Sequence, residues 1–184
     1  MNDGSLAENL TAFLARELGH TGARVVGLHR ASQGLSRENW PFDLEYSEQG
    51  ETKRLPLLLR RDPLGSVLET DRRVEYFILK GLEGSAVPVA RVYLLDETGE
   101  ATGRPSIVME RREGVCDYFA LGGGTLGLPL ESRLQLAHDL CDTLAAIHAI
   151  DWRAAGIGEL FPSRTPPGAP RELECNLRSP SWCT

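Results

Sequence analysis

Val74-Glu75-Tyr76-Phe77-Ile78-Leu79, followed by Val87-Pro88-Val89-Ala90-Arg91-Val92, places a carboxylate on the apolar side of a helix that runs on into a strand. Glu75 stands beside Val74 and Ile78 and so faces partly inward. A carboxylate drawn out of water needs a cationic partner. Arg60, near the end of the preceding strand, is one candidate; Arg72, three residues back on the helix, is the other. Lys80 is five residues on, a poorer spacing. The order of the surrounding elements favours the inward pair with Arg60.

Upstream of that helix, Trp40, Phe42, Leu44 and Tyr46 alternate with Asp43 and Glu45, the period of a strand with one buried face. Ser47 to Glu51 supplies a polar turn, and Arg54 to Arg61 returns as a strand that Pro56 marks as an edge or an irregular start. Ala23 to His29 is a further strand. Ser5-Leu-Ala-Glu8 reads as a capping box for a first helix that buries Leu6, Leu10, Phe13, Leu14 and Leu18. A second capping box, Ser66-Val-Leu-Glu69, is expected to open the Glu75 helix, which buries Val74, Phe77, Ile78 and Leu82. Downstream, Pro88 to Leu95 and Ser106 to Arg111 read as strands joined by the loop Asp96 to Gly103. The order is helix, three strands, helix, two strands. It predicts an α+β fold, a five-stranded antiparallel sheet with a helix packed across it.

Gly114 to Pro129 is Gly-rich and reads as loop. Leu130 to Ala149 is a helix whose stripe runs through Leu130, Leu134, Ala137, Leu140, Cys141, Leu144, Ala145 and His148. After Trp152 the periodicity fades, and residues 161–184 read as a disordered tail.

Composition sets wider bounds. A chain of 184 residues with 41% hydrophobic and 25% charged residues can bury one sizeable core. Its net charge of −6 argues against nucleic acid or an anionic membrane as partner. Four cysteines are scattered without zinc spacing, which fits free thiols in a reducing cytosol. The first residues lack the pattern of a secretory signal, and no stretch is long and apolar enough to span a bilayer. A cytoplasmic protein is expected.

The candidate ligand-binding residues gather at the sheet. Gly34-Leu-Ser36-Arg37-Glu-Asn39 joins two strands with a glycine, a hydroxyl and an amide, the groups that turn backbone and side-chain donors towards phosphate. An ordinary hairpin loop uses the same residue types. Arg60 shares a face with Leu58. Met109, Glu110 and Arg111 end an apolar strand that breaks into a charged, glycine-containing linker, where backbone groups are expected to meet a base edge. Gly122-Gly-Gly-Thr125 lacks the Gly-Lys-Ser/Thr ending of a P-loop. His138 and His148 receive no role, and no residue is assigned to catalysis or to a metal.

Taken together, these residues resemble the aminoglycoside phosphotransferase family in its broad sense. That family includes choline-kinase-like and macrolide kinases, and the nearest likeness is to the kinase-like domains fused to acyl-CoA dehydrogenases. Gly34 to Trp40 looks like the family's phosphate loop, Leu57-Leu-Leu-Arg60-Arg61-Asp-Pro63 like its cation-bearing strand, and Val74 to Leu79 like its carboxylate helix. Ile107-Val-Met-Glu110 resembles the hinge, and Leu144 to Trp152 the first long helix of a C-terminal lobe. The resemblance implies a protein-kinase-like nucleotide-binding lobe over residues 1–111, a hinge and linker over 112–129, and the start of a C-lobe over 130–160. It further implies ATP and Mg²⁺, with Arg60 on the phosphates and Glu75 holding it, and phosphoryl transfer to a hydroxyl of a small molecule.

One departure is severe. The family's acceptor-orienting Asp lies in a His-Gly-Asp loop, and His20, His29, His138 and His148 are followed by Thr, Arg, Asp and Ala. A later metal-binding Asp is not found either. The expectation is therefore a truncated or frame-shifted, inactive nucleotide-binding fragment, with a small-molecule acceptor only in a full-length relative. The alternative is a non-catalytic interaction module, with self-association through helix 130–149.

Overall fold

The computed structural model describes residues 3–31, 37–63, 71–114 and 127–160. Its longest local unit is a hairpin of β2 (Glu38–Glu48) and β3 (Glu51–Arg61), paired residue for residue from Glu38↔Arg61 to Glu48↔Glu51. The two residues between them, Gln49 (φ 52°) and Gly50 (φ 82°), both take positive φ. Such turns match the right-handed twist of the strands they join. β1 (Thr21–Val26) adds on one side; β5 (Ser106–Glu110) and then β4 (Val92–Asp96) add on the other. The sheet runs β1-β2-β3-β5-β4, with every neighbour antiparallel.

Each face of the sheet has its own helix. α1 (Asp3–Leu18) places Leu6, Leu10, Phe13 and Leu14 against Trp40, Phe42, Leu44, Leu57, Leu59 and Val108. Eight of these ten side chains are 0–1% exposed even before the partly buried rim is included: Leu6, Leu10, Leu14, Phe42, Leu44, Leu57, Leu59 and Val108. Each contributes roughly 1.5–3 kcal/mol by leaving water. α2 (Arg72–Leu82) covers the opposite face, where Tyr76 and Leu79 pack with Leu58, Val92, Ile107 and Met109. Arg60 and Arg61 therefore leave β3 in opposite directions.

Several sequence expectations shift. α1 begins at Asp3, so Ser5 and Glu8 lie inside its first turns rather than at its cap. Asp71, not Ser66, caps α2, accepting the Arg73 N–H at 2.8 Å; Ser66 to Glu69 lie outside the described residues. Phe77 is 40% exposed, because the sheet-facing stripe of α2 runs through Arg72, Tyr76 and Leu79. β1 starts and ends earlier than expected. β4 starts only at Val92, after Val87-Pro88-Val89 has bent back on itself through a Val89 N–H to Val87 O bond of 2.9 Å. β3 is interior, and Pro56 sits just before Leu57, the first residue to pair with β5; its carbonyl accepts the Arg111 N–H at 3.2 Å, so it contributes an acceptor without needing an N–H of its own.

α3 (Leu130–His148) buries no residue among those described, and Leu130, Leu134, Leu140, Leu144 and Ile147 are 45–62% exposed along it. The chain docks on α2 just beyond, through a 3-10 turn at Ile157–Leu160. A Cβ built on Gly81 would lie 2.5 Å from the Ala155 carbonyl oxygen and 3.1 Å from Ile157, so only glycine admits this approach. The Gly-rich stretch at 122–125 and the tail expected over 161–184 fall outside the described residues.

Candidate functional site

Alternation along β3 sends Arg60 and then Asp62 to the α2 side. The first turns of α2 bring Arg72 and Glu75 over them. Glu75 takes both partners that the sequence offered: its Oε1 is 3.1 Å from Arg60 Nη1, and its Oε2 is 2.5 Å from Arg72 Nη1. Arg72 reaches Asp62 with Nε at 3.1 Å, and Arg37 stands 4.0 Å from the same carboxylate. Arg72 is 3% exposed. Burial pulls its guanidinium below the ordinary arginine value while Glu75 and Asp62 hold its proton in place.

A cavity of about 560 Å³ opens beside this cluster. Arg37, Arg60, Arg72 and Glu75 form its polar wall, and Ile78, Leu79 and Met109 its apolar one. Asn39 pairs directly with Arg60 across β2 and β3, and so lies on the same face. The arrangement offers guanidinium donors beside an apolar slot, which suits a ligand with an anionic end and a flat or greasy end.

The sequence-predicted site residues divide accordingly. Arg37, Arg60, Glu75 and Met109 line the cavity, and Asn39 adjoins it; Gly34 and Ser36 lie outside the described residues. At the expected hinge, Met109 lines the cavity and the next two amides have backbone partners. Glu110 N–H donates to Arg91 O at 2.8 Å and Arg111 N–H to Pro56 O at 3.2 Å. The Arg111 side chain is committed as well, donating to Phe42 O and to Asp43. One participant, Asp62, was missed. Asp62 shares its face with Arg60 by simple alternation, and that was a usable signal. The dual role of Arg72, on Asp62 and Glu75 together, was not readable from spacing alone.

Metal does not fit this wall. Among the described residues, no group of three His, Cys, Asp or Glu side chains gathers that could hold an ion; Asp62 and Glu75 are engaged by arginines, and Asp71 accepts the Arg73 N–H as the cap of α2.

On the other face lies a second ion-pair network. Glu38, 4% exposed, accepts from Arg61 Nε at 3.0 Å, Arg104 Nη2 at 2.9 Å and Trp40 Nε1 at 3.3 Å. Burial pushes the Glu38 carboxyl up, but these donors outweigh it and hold the group below the ordinary glutamate value. Arg61 also donates to Thr102 O at 3.0 Å, fastening the loop between β4 and β5 to the hairpin.

A five-stranded antiparallel sheet whose third strand presents a cation to a carboxylate on the crossing helix is the N-terminal lobe of the kinase-like fold. In keeping with this, the chain is similar to a crystal structure from Ralstonia eutropha described as a putative aminoglycoside phosphotransferase, with a TM-score of 0.57 and 24% identity over 84% of this chain. The match covers 41% of that protein, so the present chain spans less than half its length. No family model and no curated sequence matches the chain.

Proposed function

We propose that this chain is an aminoglycoside-phosphotransferase-like lobe that binds a nucleotide, and that by itself it does not transfer phosphate. The observation that carries the reading is the Arg60–Glu75 ion pair of 3.1 Å at the wall of the 560 Å³ cavity. Arg60 meets the phosphates of ATP, Glu75 fixes its guanidinium, and the slot between Met109 and Leu79 takes the base. Phosphoryl transfer needs an acceptor-orienting carboxylate and metal-held phosphates. The sequence carries no His-Gly-Asp loop, and residues 152–184 contain no Asp. Transfer to a small-molecule hydroxyl accordingly belongs to longer relatives. No described helix is long and apolar enough to cross a membrane.

Calorimetric titration with ATP tests the reading. Saturable binding that falls at least tenfold in Arg60→Ala supports it, and turnover of ATP at ordinary kinase rates of 1–100 per second would falsify the inactive part.

A second reading, a non-catalytic interaction module, is favoured by one observation: the exposed leucines of α3. An apolar stripe of that extent calls for a partner, and a second copy through helix 130–149 is the simplest. Light scattering that finds discrete dimers, lost in Leu140→Glu, supports it; monomers at all concentrations argue against it.

A further inference from the structure

Three guanidiniums from three parts of the chain meet at the cavity wall: Arg37 ahead of β2, Arg60 near the end of β3 and Arg72 in the first turn of α2. The acids beside them are already held. Asp62 sits against Arg72 and Arg37, Glu75 spans Arg60 and Arg72, and Asp71 is engaged as the cap of α2. A magnesium ion demands near-octahedral oxygens at about 2.0–2.1 Å and gives up its water reluctantly. Moving Asp62 or Glu75 to such an ion would take a carboxylate from Arg72, 3% exposed, and leave a buried charge short of its partner. Donors for an anion, by contrast, are in place. The Arg60 side chain is 37% exposed, and its Nε is hidden from water without a hydrogen-bond partner. Its planar fork matches phosphate oxygens two at a time.

We infer that this cluster takes the phosphates of its ligand in metal-free form, with arginines neutralising the charge that a magnesium ion would otherwise carry. The inference rests on the phosphate-binding reading of the same cavity and adds which ionic species is bound. A magnesium complex brings less negative charge to the arginines and a hydration shell, while Asp62 and Glu75, among the described residues, are each already set against arginines. Magnesium is then a competitor for the ligand rather than a helper.

The test titrates the 184-residue chain with sodium tripolyphosphate and, separately, with ATP, each at matched ionic strength in EDTA and in excess magnesium. Tripolyphosphate is expected to bind in EDTA and to bind several-fold more weakly once complexed by magnesium. Arg60→Gln is expected to lose at least tenfold, with partial recovery in Arg60→Lys. Binding of either ligand that tightens with magnesium beyond experimental scatter overturns the inference, as does failure of both to bind in EDTA. ATP binding no tighter than tripolyphosphate removes the nucleotide reading while leaving the metal-free anion site standing. Should Arg60→Gln not fold, the magnesium comparison on the unaltered chain decides alone.

Discussion

Arg60 and Arg61 are consecutive residues of β3, and the sheet sends them to opposite faces. Arg61 is 6% exposed, lies 5.1 Å from the centre of the Trp40 ring, and joins Arg104 on the buried carboxylate of Glu38. Arg60 keeps 37% of its side chain in contact with solvent and shares Glu75 with Arg72 at the rim of a cavity. Both are arginines in ion-pair networks at the same end of the same strand. The difference teaches that the worth of a charge is set by what surrounds it: one network centres on a carboxylate 4% exposed, and the other lines a cavity. Removing a partner from the closed network leaves a charge with nowhere to go, whereas the open one is screened by water.

The largest effect is expected where the closed network is broken. Arg61→Ala should cost about 3 kcal/mol, the lower part of the range for breaking a buried pair, since Arg104 still reaches Glu38. Denaturant unfolding monitored by circular dichroism measures it, and a cost near zero would erase the distinction drawn here. Next comes Gly81→Ala, whose added methyl meets the Ala155 carbonyl; a loss of about 1–3 kcal/mol is expected, or release of the Ile157–Leu160 turn seen as faster amide exchange. Arg60→Ala should cost less than about 1 kcal/mol of stability, because its ion pair is partly exposed, while ligand affinity drops at least tenfold. Thermal melts and calorimetry on the same sample separate the two quantities. The smallest effect belongs to Arg24→Ala at the sheet edge, where a pair with Glu45 that is largely open on the arginine side contributes at most about 0.5 kcal/mol.

Acid sharpens the same contrast. Glu38 titrates below its ordinary value of 4.5 in the folded chain. Its contribution is therefore complete above 4.5 and is lost as pH falls through the lower folded value. Asp43 behaves alike: burial raises its pKa, but Arg54 and Arg111 together lower it further. Glu38→Gln should shallow the fall of stability below pH 4.5 without abolishing it, as read from denaturation midpoints between pH 2.5 and 6. An unchanged slope would mean that Glu38 is not held as its neighbours imply.

The α+β architecture and the Arg60–Glu75 pair were legible because both follow from period. Alternation fixes which β3 side chains share a face, and helical spacing puts Glu75 beside apolar positions. Alternation also carried information that went unread: stepping back from Trp40 places Glu38 on the α1 face, directly across from Arg61. A charged residue at the start of a strand looks like a solvated end unless its cross-strand partner is known, and register is a property of pairing. The cap of α2 was misplaced for a related reason. Ser66-Val-Leu-Glu69 and Asp71 both satisfy local capping rules, and only packing against the sheet selects where the helix begins. The backbone partners of the Glu110 and Arg111 amides, Arg91 and Pro56, come from distant stretches of the chain, a long-range pairing that no local motif encodes.

Trp40 is 5% exposed, wedged between Arg61 and the α1 side chains, whereas Trp152 is 43% exposed with the Arg153 guanidinium 3.9 Å from its ring centre. With Trp182 replaced by phenylalanine, only these two of the three tryptophans would emit. The first should fluoresce towards the blue and resist acrylamide; the second should emit towards the red and quench readily. The molecule thus carries its own pair of optical reporters, and a single emission spectrum recorded during unfolding would show whether the sheet and the α3 segment come apart together or in turn.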